Sequence, residues 1–340
     1  MQKPILPNPN RLFCPISDPH YNLFFSLVDY KNNYFTSNDP NKIIEFYDGF
    51  EDRDQLTNWM KERPTGVTNI FEVEGSNEII VVIPTADFNG KYAKDCRENI
   101  FKGLHIIYVE SGGREDFYFN FAHNCNVGIK KAMEYNPKWV VYSNDDMYKI
   151  DDINVLKKTL QNIDNKKIST VFTNAASYHS IPVKLAKPRT LLLIYMKMRN
   201  RATRIRSYLW KRLDVKYFLP IRGLFGDILY TKGLKCYSIA SFGIFSSEFV
   251  KEFTFENGEM FDETFVNATE DIDLSLKMTL CRTDYEFINY NIGNHINGTL
   301  GASFCKQLRD IAGDALLNYL ISNGNDRYHE EIRKMLIQKR

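Results

Sequence analysis

The stretch Glu78-Ile-Ile-Val-Val-Ile-Pro-Thr85 decides the fold. The β-branched run from Ile79 to Ile83 does not alternate between apolar and polar residues. It therefore reads as a strand buried on both faces, as in a parallel sheet. Pro84 ends the run, and Lys91 to Phe101 follows as a helix. Leu104-His-Ile-Ile-Tyr-Val109 is a second strand, halted at Ser111-Gly112-Gly113. Phe117 to Tyr135 is a long helical stretch, and Trp139-Val-Val-Tyr142 is a third strand. This alternation predicts right-handed βαβ units in a doubly wound α/β sheet. Such sheets bind ligands beyond the carboxyl ends of their strands. That rule sends Pro84-Thr85, Glu110-Ser111-Gly112 and Asn144-Asp145-Asp146 to one site.

Outward from this block, Val155 to Ile163 predicts a helix and Ser169 to Thr173 a strand. Phe242 to Asn297 resumes an α/β pattern, and Ser303 to Leu320 carries apolar residues at helical spacing. Residues 1–77 form a polar, aromatic-rich extension with two expected helices, one opening at Asp39-Pro40 and one over Asp54 to Arg63. The expected organisation is an extension over 1–77, a main domain over 78–310 and a C-terminal helical segment over 311–340. A basic helical insertion over 181–236 interrupts the main domain.

Hydrophobic residues make up 44% and charged residues 25% of the 340, which suits a folded chain and not wholesale disorder. The net charge of +2 hides a basic segment between Lys184 and Lys235, where only Asp214 and Asp227 oppose a dozen or so Lys and Arg. Met198, Ala202, Ile205, Leu209 and Leu213 fall at helical spacing within it. Such a helix fits an anionic membrane surface and fits equally a stripe packed on the main domain. Nucleic acid is not expected, because no recognition motif accompanies the charge. The six cysteines are spread without CxxC or metal-finger spacing, as in a reducing compartment. Met1-Gln-Lys-Pro-Ile lacks a secretory apolar core, and Leu191 to Met196 is far short of the roughly 20 residues that span a bilayer. The expectation is a cytoplasmic protein, with peripheral attachment to the inner face of a membrane as the role open to the basic segment.

Three groups of residues can carry chemistry. Asp145 and Asp146 directly follow a buried strand, and adjacent carboxylates there need a compensating charge. A hard cation such as Mg²⁺ or Mn²⁺ supplies it, although a capped turn explains the same pair. Asp262, Glu263, Glu270, Asp271 and Asp273 form a second acidic group, with a helix beginning near Asp271. Acidic residues suit a helix start without any function, yet an aspartate at a helix mouth can also take a proton from a hydroxyl. His295, flanked by the Gly-rich Asn294-His-Ile-Asn-Gly-Thr-Leu-Gly301, is the third; the five other histidines have no comparable setting.

In this order the motifs resemble the family 2 glycosyltransferases, particularly the rhamnosyltransferase-like branch, from about Glu78 to Ser303. Val82-Ile-Pro-Thr85 looks like that family's opening strand and turn, and Asn126-Val-Gly-Ile-Lys-Lys-Ala132 is similar to its helix signature. Ser143-Asn-Asp-Asp146 aligns with its DxD region, with Asn144 replacing the first carboxylate. Phe261-Asp-Glu-Thr-Phe265 with Thr269-Glu-Asp-Ile-Asp-Leu-Ser-Leu-Lys277 is similar to its FDE…EDxDL block. The resemblance implies a GT-A type, Rossmann-like mixed sheet and an inverting, Mn²⁺- or Mg²⁺-dependent transfer. The donor would be a nucleoside-diphosphate sugar, UDP or dTDP in preference, and the acceptor a hydroxyl on a lipid-linked or membrane-proximal glycan. It assigns Asp271 as base and Asp146 with His295 to the metal. Pro84, Thr85, Glu110, Asn126, Asn144 and Asp145 fall on the donor side, and Glu270 and Asp273 on the acceptor side. Glu110 stands where the family usually has an aspartate.

Two rival functions remain. A nucleotidyltransferase would carry a glycine-rich basic loop where this chain has Pro84-Thr-Ala-Asp-Phe-Asn-Gly90. A non-catalytic sugar- or nucleotide-binding protein on the same scaffold would have no use for both acidic groups and His295. The sequons Asn267-Ala-Thr and Asn297-Gly-Thr fall inside the expected site and read as coincidental.

Overall fold

The computed structural model describes residues 66–111, 120–181, 234–239, 241–254, 259–265, 270–280 and 283–295. Its centre is the expected buried run, β2 (Ser76–Thr85), which is buried from Ile79 onward. β3 (Leu104–Glu110) pairs with it in parallel on one side and β4 (Trp139–Ser143) in parallel on the other. With water excluded from both faces, side chains of either parity must be apolar, which is why these strands show no alternation.

The complete sheet has seven strands in the order β1-β3-β2-β4-β9-β6-β10. β1 (Asn69–Val73) closes one edge antiparallel to β3. β9 (Phe242–Ser246) lies antiparallel between β4 and β6 (Thr170–Phe172), and β10 (Tyr285–Phe287) pairs with β6 in parallel. Hence β2, β3, β4, β6 and β10 share one direction and β1 and β9 oppose it. The result is a mixed α/β sheet compatible with a Rossmann-like fold. Residues 69–77, expected within the extension, supply β1 and the start of β2.

Two short ribbons stand outside this sheet. β5 (Met147–Lys149) pairs antiparallel with β11 (Ile292–Asn294), and β7 (Ser177–Ile181) with β8 (Leu234–Ser238). The second ribbon brackets 182–233, so nearly all of the basic segment lies outside the described residues. The helices expected in 1–65 and in 303–320 lie outside them too. Among the described residues no helix is long and apolar enough to cross a membrane.

The helix expected over Lys91 to Phe101 divides in two. α1 (Lys91–Asp95) passes into a π-helical turn over Cys96–Ile100, closed by the Phe101 N–H donating to Cys96 O at 2.8 Å. The wider turn lets Cys96, Ile100 and Phe101 all reach the core, where Phe101 stacks on Phe242. π-Bulges of this kind gather at functional sites.

α2 (Phe121–Met133) starts at Asn120, whose side chain accepts the His123 N–H at 3.0 Å. α3 (Ile153–Gln161) is capped in the same way by Asp152, and α4 (Ser247–Glu252) by Ser246. α5 (Glu270–Leu280) begins one residue before the expected position and packs on β8.

α2 lies directly on β2 and β3, and Gly128 sets how near it comes. A Cβ there would sit 2.3 Å from Val82 Cγ1 and 2.9 Å from Val109 Cγ2. Helix propensity alone would make Gly128→Ala stabilising by about 1 kcal/mol. Overpacking against two buried valines reverses the sign, and the variant should lose about 1–3 kcal/mol. A urea denaturation midpoint above that of the native chain would disprove this account of the helix position.

Candidate functional site

The chain passes from β2 through α1 to β3 on one side, then through α2 to β4 on the other side of β2. The strand order therefore reverses between β2 and β4, a switch point of the kind at which such sheets bind ligands beyond the carboxyl ends of their strands. Thr85 and Asp145 meet there: the Thr85 hydroxyl donates to Asp145 Oδ2 at 2.7 Å. Pro84 is tolerated in β2 because the pairing to β4 has already ended at Val82.

Asp145 and Asp146 are both nearly buried, at 7% exposure each. The Cys96 thiol donates to the Asp145 carbonyl at 3.2 Å, which ties the π-helical turn to this acidic pair. Burial first, and then Asp145, Asp95 and Asp146, push the Cys96 thiol far above its usual range, so it stays protonated. Asn144 accepts the Tyr142 hydroxyl on Oδ1 at 3.2 Å, and its N–H donates to Ser241 O.

His295 comes to the same place. β11 runs beside β5 with Asn294 opposite Met147, and one step further the His295 N–H donates to Asp146 O at 2.8 Å. Residues about 150 apart in sequence thus become neighbours through a ribbon of six residues. Among the described residues, no group of three or more His, Cys, Asp and Glu side chains forms a metal-holding cluster.

Glu110 sits opposite Thr85 in the β2–β3 register and accepts the Phe88 N–H on Oε2 at 2.7 Å. Arg97 grips the other side of that residue, donating to Phe88 O at 2.7 Å with its guanidinium 4.6 Å from the ring centroid. Glu110 therefore shapes the loop that follows Thr85.

Asn126, expected on the donor side, is instead committed to the chain itself. Its Oδ1 accepts the N–H groups of Met260 and Phe261, and its Nδ2 donates to Phe261 O and Glu263 Oε1. Asn120 and His123 on the same helix also hold Glu263, at 2.8 and 2.9 Å. The conformation of Met260–Glu263 is thus dictated by one polar face of α2.

The second acidic group divides its duties. Asp262 accepts the Thr264 N–H at 2.9 Å, and Glu263 serves α2. Asp273, expected on the acceptor side, is in the core, paired with Lys277 at 2.7 Å with both side chains 1% exposed. Glu270 is buried and Asp271 half-buried at the start of α5. Burial together with Glu270 and Asp271 raises the Cys125 thiol far above its usual range.

Tyr142 joins the two acidic groups. Burial holds its phenol well above the ordinary range, followed by Cys125, Asp271, Glu270 and Asp146. Asp146, Asp271 and Glu270 therefore all lie within electrostatic reach of one hydroxyl. Phe121 and Phe261 flank its ring at 5.9 and 5.6 Å. From sequence Tyr142 is only the last apolar residue of a strand. Its position immediately before Ser143-Asn-Asp-Asp146 was the available signal. His123 was likewise unremarkable until its partner Glu263, 140 residues on, came beside it.

No protein-family model matches the sequence, and no curated protein matches it.

The buried Asp273–Lys277 pair generates a stability prediction. Removing one charge strands the other in the core, at a cost of about 3–5 kcal/mol. Asp273→Asn should therefore unfold at markedly lower urea than the native chain. An unchanged midpoint would show that the pair is not the structural contact its burial indicates.

Proposed function

We propose that the chain is an inverting, metal-dependent glycosyltransferase of GT-A type. It would move a sugar from a nucleoside-diphosphate donor, UDP or dTDP in preference, to an acceptor hydroxyl. The observation that supports this reading best is the buried Asp145–Asp146 pair where the strand order reverses, with the His295 N–H donating to Asp146 O. The seven-stranded mixed sheet and the motifs resembling family 2 support it.

The donor set suits Mg²⁺ or Mn²⁺. Such ions take one or two carboxylates and complete their shell with water and substrate phosphate, so a protein cage is not required. Asp146 and His295 would hold the ion, with Asp145 fixed beside them by Thr85. When bound, the cation would offset the charge gathering on the departing diphosphate.

Asp271 is the proposed base. The acceptor oxygen forms its bond to the anomeric carbon as that carbon's bond to the diphosphate oxygen breaks, and the hydroxyl proton passes to the Asp271 carboxylate. Attack from the face opposite the leaving group inverts the anomeric centre. The loop after Thr85, held by Glu110, would line the nucleobase and ribose. Tyr142, raised first by its burial, stays protonated and uncharged.

Asp271→Asn should lower transfer by about 10²- to 10⁴-fold, the usual worth of a positioned base. Its thermal shift with UDP and Mn²⁺ should match that of the native chain. Near-native turnover would remove Asp271 from the role. Absence of any Mn²⁺-dependent donor hydrolysis or transfer by the native chain would favour a binding protein instead.

For the acceptor, we propose a lipid-linked or membrane-proximal glycan approached through the basic segment 184–235. The native chain should sediment with anionic vesicles at low salt and release at high salt, because each Lys or Arg near the surface contributes about 1 kcal/mol. Equal recovery with neutral and anionic vesicles would rule this attachment out.

A further inference from the structure

His295 projects from the end of the β5–β11 ribbon into an aromatic setting that neither the proposed base nor the donor loop explains. The Tyr92 and Tyr148 rings each lie 5.2 Å from the imidazole centroid, tilted by 41° and 55°. Tyr92 comes from the first turn of α1 and Tyr148 from β5, so the two rings reach it from different elements.

Gly293 makes the second contact possible. It sits opposite Tyr148 in the ribbon register and two residues before His295, on the same face. A Cβ at Gly293 would lie 2.3 Å from Tyr148 Cζ and 2.5 Å from its hydroxyl oxygen. The tyrosine thus lies over the position where a side chain would stand and reaches the histidine beyond it. Yet Tyr148 is 41% exposed and gains little from burial. Its position over Gly293 is better explained by the ring it meets there.

We propose that Tyr92 and Tyr148 are positioning residues, a clamp that fixes the His295 imidazole beside Asp146 for metal binding. The proposal rests on reading Asp146 and His295 as ligands. An exposed histidine at a ribbon end samples several rotamers, and ordering it costs free energy when the ion binds. Two rings against the imidazole meet that cost in advance, as neighbours that orient a ligand do elsewhere.

The test uses the full chain and Mn²⁺ alone, with binding read from the EPR signal of the free ion. Tyr148→Leu should weaken Mn²⁺ binding about tenfold, the lower end of what losing a ligand-orienting neighbour costs. Gly293→Ala should do the same by swinging the Tyr148 ring aside. Tyr148→Phe keeps the ring and should bind as the native chain does. In a His295→Ala background the Tyr148→Leu effect should vanish. In metal-free protein, the His295 ring-proton resonances should move downfield in Tyr148→Leu as a ring-current shift is lost.

Native Mn²⁺ affinity in both Tyr148→Leu and Gly293→Ala, with weakened binding in His295→Ala, would overturn the clamp and leave the ligand assignment standing. Native affinity in Asp146→Ala and His295→Ala would overturn the ligand assignment, and the clamp's purpose with it. Unmoved His295 resonances in Tyr148→Leu would show that the rings do not meet, whatever the metal does.

Discussion

Carboxylates withheld from water at the carboxyl edge of the sheet are the constraint that the surrounding structure answers. Asp145 and Asp146 are nearly buried and adjacent, so each raises the cost of ionising the other. The chain responds locally: the Thr85 hydroxyl donates to one carboxylate, while Cys96 and His295 donate to the two backbone carbonyls. These donors come from β2, from the π-helical turn and from the residue after β11. Three separate parts of the chain are thus pinned to one dipeptide.

That arrangement needs a frame that does not yield. β2, β3 and β4 are buried on both faces, and the close seat of α2 on Val82 and Val109 leaves no slack between helix and sheet. Rigid packing of this density transmits position faithfully. α2 then uses its opposite, polar side to hold Met260–Glu263, the segment leading toward α5. One helix therefore relates the sheet to the second acidic group, and Tyr142 in β4 lies within electrostatic reach of that group and of Asp146.

The sequence disclosed the parts of this design that depend on local pattern. β2, β3 and β4 were legible because doubly buried strands are apolar at both parities. α2, α3 and α5 were legible from spacing and from caps such as Asp152. β1 was not: Asn69-Ile-Phe-Glu-Val73 is a half-exposed strand whose partner, β3, lies more than thirty residues on. The π-helical turn was equally hidden, because its contacts, such as the Cys96 thiol on the Asp145 carbonyl, come from across the fold. At the site, adjacency and strand position pointed to Asp145 and Asp146. The company of Tyr92 and Tyr148 around His295 follows from the seat of α1 and from the β5–β11 register, which no local signal announces.

The acidic cluster at α5 shows why motif and role part company even within one turn of helix. Successive residues are separated by about 100° around an α-helix, so positions three, four and seven apart share a face. Glu270, Asp273, Leu274, Lys277 and Met278 fall on such a stripe, and all of them are buried. A carboxylate on that stripe must find a cation within the core, and Asp273 finds Lys277 one turn on. Asp271 is turned away from it and half-buried, and its carbonyl accepts the Ser275 hydroxyl at 2.6 Å. Two aspartates two residues apart thus differ in setting: one paired and enclosed in the core, the other half-buried. The helix period alone separates them, so an Asp-x-Asp spacing places its two carboxylates on different faces.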